Sequence, residues 1–202
     1  NKDSIDPGHE HLFPPRKKIV LYSQFESPDG WVTGGVGTET VDFALGMMSL
    51  ITGATISDDV VALVQGAADS FLPTKDSGYQ TIVKLGAITS QTVYFGVGDI
   101  ANQIGQAAGL REGYGFKVVD GTLSALTKKD DTETLTTISG ITLTNFNEYK
   151  AYFNTKSVQF FVNGRPVAKH VTNLPDSDNS VPLTFYILTS TGSGRQLLAR
   201  YV

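Results

Sequence analysis

Cysteine is absent from this chain of 202 residues. Disulfide stapling and thiolate chemistry are therefore excluded. The absence fits a reducing compartment, and equally a protein that works outside cells without bridges. A basic excess is also missing. Sixteen Lys and Arg face twenty Asp and Glu, a net charge of −4, which argues against nucleic acid as a partner. No apolar run approaches the length of a membrane span, and the opening residues hold no apolar core of the signal-peptide kind, so no membrane insertion is expected. What is abundant is glycine, at 21 residues, together with Thr, Val and Phe. That mixture favours strands and tight turns over helices. A hydrophobic content of 40% supports an ordinary core.

The first sixteen residues, NKDSIDPGHEHLFPPR, hold three prolines and no periodicity. They read as an extended arm over 1–16, entering a single domain over 17–202. The domain opens with the strand IVLYSQF and a turn-rich SPDGWVTGG around Trp31. TETVDFALGMMSLITG then alternates up to a glycine break, and VVALVQG is apolar enough for burial on both faces. GYQTIVKLGAI, QTVYFGVGD, GYGFKVVDGTLSAL, TLTTISGITL, PLTFYILTS and RQLLARYV follow. About a dozen short strands with glycine-rich turns at regular spacing are the pattern of a sandwich or barrel. One segment breaks it. IANQIGQAAGLREG carries apolar residues at roughly helical spacing and is expected to form a short helix or ordered loop.

The most informative stretch is Val158–Pro175, VQFFVNGRPVAKHVTNLP. Asn163-Gly164 between two apolar runs predicts a two-residue hairpin, because both central residues of its turn need positive φ. Val162 then faces Arg165, Phe161 faces Pro166 and Phe160 faces Val167. Proline offers no N–H to a further strand, so 165–169 is expected to be an edge, or bulged at Pro166. Phe160 and Phe161 point to opposite faces, so one of them lies outside the core, covered by a loop, a sugar or another chain. Asp120-Gly121 predicts a second tight hairpin.

This stretch resembles the FYVNG-x-LVA-x-HTTNLP hairpin of concanavalin A-like, laminin-G-like jelly-roll domains, which are common in fibres, tailspikes and other virion appendages of tailed phages. GYGFKVVDGTLSALT, FESPDGWVTGGVGT and SGITLTNFNEYKA are similar to further segments of those domains, in the same order. The resemblance implies an all-β, concanavalin A-like jelly-roll β-sandwich, with the opening strand 19–25 beside the closing strand 197–202. It implies a non-enzymatic virion protein, the head of a fibre or capsid-surface appendage that attaches to host-surface glycans. Architectural decoration of the particle and polysaccharide depolymerisation are the alternatives. SIDPGHEHLF is similar to arm segments of phage fibre proteins, some of which bind iron through His-x-His pairs from three chains. In an extended strand His9 and His11 share a face, but one pair cannot close a site, so metal there requires a homotrimer. The arm would also meet other virion proteins.

Catalysis finds little support. Glycoside hydrolysis needs two carboxyls about 5 to 10 Å apart, and no Glu-x-Asp-x-Glu strand is present. Asp131 and Glu133 in KKDDTETL, and Asp58-Asp59, read as solvated turns. His170, the one histidine inside the domain, reads as structural. The GVGT and GVGD runs lack the lysine of a phosphate loop, so no nucleotide cofactor is expected. LPDSDNSV, with Asp176, Asp178 and Asn179, matches no defined calcium loop. For sugar stacking the aromatic candidates are Trp31 and Tyr114, followed by Tyr79 and Tyr149.

Overall fold

The computed structural model describes residues 31–36, 40–44, 47–57, 59–64, 77–100, 110–130, 132–176 and 182–200. Among these the chain forms fourteen strands and no helix. They are β1 (Trp31–Val36), β2 (Thr40–Ala44), β3 (Met47–Ile51), β4 (Asp59–Val64), β5 (Ser77–Leu85), β6 (Gln91–Ile100) and β7 (Leu110–Val119). β8 (Thr122–Lys129), β9 (Thr132–Ile138), β10 (Asn147–Asn154), β11 (Ser157–Val162), β12 (Arg165–His170), β13 (Leu183–Thr189) and β14 (Gln196–Arg200) follow. All pairings are antiparallel, in two seven-stranded sheets. The first runs β1-β4-β13-β6-β7-β8-β9, and the second runs β12-β11-β10-β5-β14-β3-β2. This is the all-β jelly-roll sandwich that the sequence implies.

Turn chemistry sets the strand breaks. Asn163 and Gly164 have φ of 49° and 73°, and Asp120 and Gly121 have 46° and 82°, the signature of two-residue hairpins. Val162 faces Arg165 and Phe161 faces Pro166, as expected, but Phe160 faces Ala168. The expected partner Val167 is displaced because the register shifts there. A bulge accommodates the proline, and β12 is also the edge of its sheet.

Period-two alternation sends one face of each sheet inward. Phe95, Tyr114, Phe116 and Phe185 from the first sheet meet Tyr79, Tyr149, Phe153 and Phe160 from the second in one core. Phe116 is the hub, edge-on to Tyr149 at 5.0 Å and to Phe160 at 5.6 Å. These pairs add about 0.5–1.5 kcal/mol each beyond area burial. Phe161 points the other way and is still only 9% exposed, so its outward face is covered, as the sequence requires.

One expectation is corrected. Trp31 does not sit in a turn: it opens β1 opposite Val64, because β4 supplies a full ladder along 31–36. β14 is hydrogen-bonded on one edge by β3 and on the other by β5. Residues 19–25, the arm 1–16 and the segment 101–109 lie outside the described residues.

Candidate functional site

Glycines determine where Tyr114 goes. Gly113 and Gly115 occupy the outward positions of β7, so Tyr114 shares the inward face with Phe116. Its ring is fully buried and stacked on Phe153 at 5.6 Å, with its hydroxyl 3.3 Å from Ser77 Oγ. Burial pushes its phenol well above the ordinary range. A ring committed in this way offers no face to a sugar, so Tyr114 is corrected from ligand candidate to core. Tyr79 and Tyr149 are equally buried, and Tyr79 donates its hydroxyl hydrogen to the Phe95 carbonyl at 3.1 Å. His9, His11, Asp58, Asp131, Asp178 and Asn179 lie outside the described residues.

Glu133, the candidate acid, stands on the outward face of β9, where the register sets it opposite Lys128. Lys117 Nζ reaches both of its carboxylate oxygens, at 2.9 and 3.0 Å, and Lys128 Nζ lies 3.8 Å away. Both carboxylate oxygens are thus engaged by Lys117 within the sheet. Asp176 is likewise paired, with Lys129 at 2.7 Å. Among the described residues no three His, Cys, Asp or Glu side chains gather to hold a metal ion.

His170 is buried and ties the sheets together at their β12 and β9 margins. Thr127 donates its hydroxyl hydrogen to the Thr172 carbonyl at 3.0 Å, so it accepts from His170 Nδ1, also at 3.0 Å. The imidazole hydrogen therefore sits on Nδ1, and Nε2 accepts from Thr136 at 2.9 Å. With its ring 5.0 Å from that of Phe160, His170 has no free nitrogen for chemistry.

The surface that stands out lies on the outer face of the second sheet. Among the residues whose side-chain burial is described, Phe146 is the one aromatic left exposed, at 39%. Two cations converge on it. The Arg200 guanidinium carbon lies 4.7 Å from the ring centroid and Lys84 Nζ lies 5.5 Å from it. Among the described residues neither cation has a carboxylate partner. Arg200 is placed by β14, where it pairs with Ile82, and Lys84 by β5, opposite Leu198. Glu148 follows in the same sheet opposite Ile82 and accepts from Gln80 Nε2 at 3.2 Å.

The loop that presents Phe146 is held rigidly. Asn147, itself buried, donates from Nδ2 to the carbonyls of Thr142 and Asn145, each at 2.9 Å. Its Oδ1 accepts from Asn163 Nδ2 at 2.9 Å, and Asn163 Oδ1 accepts from the Glu148 amide at 2.9 Å. The hairpin tip thus braces the loop carrying the exposed ring. Phe146 is not among the binding residues expected from the sequence. The available signal was a phenylalanine between two asparagines, Asn145 and Asn147, in a turn, where an aromatic has no strand face to bury.

No protein-family profile matches the chain, and no curated protein matches it in sequence. Solved structures do match in fold. A prokaryotic β-1,3-1,4-glucanase (lichenase) from a mouse hindgut metagenome superposes with a TM-score of 0.66 at 11% identity, over 88% of this chain and 94% of that one. An endo-acting O-glycanase structure from human gut microbiota gives a TM-score of 0.63 at 10% identity, over 88% and 95%. Botulinum neurotoxin type C, whose uptake by cells depends on two ganglioside molecules, gives 0.54 at 12% identity. That match covers 84% of this chain but only 42% of the toxin chain. At these identities the likeness is one of fold: this chain has the β-sandwich jelly roll that those proteins share.

Proposed function

We propose that this chain is a non-catalytic glycan-recognition domain, the head of a phage fibre or capsid-surface appendage that attaches to host-surface sugars. In this reading it belongs to the virion, joins other virion proteins through the arm and acts as a homotrimer. The observation that carries the recognition part is the exposed Phe146 ring, presented on a rigid loop and flanked by Arg200 and Lys84. An exposed apolar ring with cationic hydrogen-bond donors over it suits a pyranose, which pairs an apolar C–H face with a hydroxyl rim. The viral part rests on the hairpin resemblance. Against catalysis stands Glu133, the candidate acid, held between two lysines.

The test is a glycan array probed with the purified chain, followed by titration of the sugars that bind. Binding lost in Phe146→Ala, with thermal stability kept, supports the reading. Binding unaffected by that change removes Phe146 from it, and absence of binding to every host glycan removes the function. The likeness to two glycanases favours a second reading, a glycan-cleaving enzyme. Release of reducing ends from host capsule by the wild-type chain would establish that one.

A further inference from the structure

We infer that the sugar taken at Phe146 is an acidic pyranose, carrying a carboxylate or a sulfate. This rests on the recognition reading above and narrows it to a ligand class. A neutral sugar needs an aromatic face and a few donors and acceptors. This surface offers two full positive charges aimed at one ring, and among the described residues neither has a carboxylate partner.

The neighbourhood makes the charge usable. Glu148, a possible competitor on the same face, is engaged by Gln80 Nε2 at 3.2 Å and lies 3.8 Å from Lys150 Nζ. The residue is 39% exposed, and an anion that draws the two cations aside uncovers the ring for C–H groups of the same sugar. An exposed cation–π contact is weak, so Arg200 and Lys84 can turn toward an incoming anion at little cost. Arg200 matches a carboxylate or sulfate through paired N–H donors, and Lys84 adds a point charge. Both sit on strands, so the ligand need not order a mobile loop.

The experiment titrates the full chain with matched pairs of oligosaccharides. Uronate- or sialic acid-terminated sugars are compared with their carboxyl-reduced counterparts, and sulfated sugars with desulfated ones. We expect the acidic member of at least one pair to bind about tenfold or more tightly. Which pair responds separates carboxylate from sulfate. Raising the salt concentration should weaken that binding, because the charges are solvent-exposed. Lys84→Gln and Arg200→Gln should each erase most of the preference with the melting temperature unchanged, and Phe146→Tyr should keep it where Phe146→Ala does not. Equal affinity for both members of every pair, with binding still dependent on Phe146, overturns the acidic class and leaves the recognition reading intact. No binding to any of these sugars, or binding indifferent to Phe146, overturns the acidic site at Phe146, and only a blank result on the full glycan array overturns the recognition reading as well.

Discussion

Burial lowers the pKa of His170 below its ordinary value, and its two threonine partners are neutral. Unfolded, the imidazole titrates near 6.5. Between that value and the lower folded one, the unfolded chain binds the extra proton, so the free energy of unfolding rises with pH. The contribution is complete above about pH 6.5 and is lost as pH falls through the folded pKa. Denaturant melts from pH 5 to 8 should therefore show stability declining on the acid side. His170→Gln should flatten that slope and cost about 1–3 kcal/mol at pH 8, since Thr127 and Thr136 lose a fitted partner. An unchanged slope in the variant would assign the acid sensitivity to other groups. Asn163 carries two separate duties, a left-handed backbone and the brace on Asn147 and Glu148. Asn163→Gly relieves the first and removes the second. It should leave the hairpin folded yet weaken glycan binding through Phe146, while Asn163→Ala, strained as well, should lose about 1–2 kcal/mol more.

At the scale of the element, paired strands are tuned by glycine. Gly96 faces Gly115 and Gly98 faces Gly113 across β6 and β7. Tyr94 caps this block, its hydroxyl within 2.9 Å of the Val97 carbonyl and 3.1 Å of that of Tyr114. A Cβ at position 96 would come within 2.5 Å of the Tyr114 carbonyl oxygen and 2.6 Å of Gly115 Cα, both backbone atoms that cannot swing aside. Gly96→Ala should cost on the order of 3 kcal/mol or more, read as a lowered denaturation midpoint. Gly164→Ala meets nothing within 4 Å and should cost only its backbone strain, about 1–2 kcal/mol. Equal losses at the two sites would refute the steric account. The same local rules explain what the sequence made legible. Asn163-Gly164 and Asp120-Gly121 announce their hairpins because few residues accept such φ values, and alternation sends Phe161 outward. Alternation also carries the correction at Tyr114, since a tyrosine two residues before Phe116 with glycines on both sides belongs on the core face. Phe146 escaped because its setting is made by Lys84 and Arg200, on strands distant in sequence. Nothing local in Thr-Asn-Phe-Asn announces those neighbours.

At the scale of the whole molecule, β14 closes the second sheet by inserting between β3 and β5, with Leu197 facing Leu50 on one side and Leu85 on the other. No turn residue encodes that position. It becomes available only once strands far apart in sequence have met, which is why the neighbours of the closing strand were not legible in the sequence. The β7-β8-β9 and β10-β11-β12 meanders, by contrast, join sheet neighbours through connections of two residues each. Loop-closure entropy makes the short connections cheap and the insertion of β14 expensive. The meanders are thus expected to form in the folding transition state and β14 to dock after it. Leu197→Ala and Phe160→Ala separate the two stages, because both side chains are fully buried and their truncations should cost about 2–5 kcal/mol. In denaturant-jump kinetics Leu197→Ala should leave the folding arm nearly unmoved and raise the unfolding rate by almost the whole destabilisation. Phe160→Ala, inside a meander, should put a large part of its cost into slower folding. If Leu197→Ala slows folding as much as Phe160→Ala does, sheet closure precedes the barrier, and the jelly roll assembles around its last strand rather than receiving it.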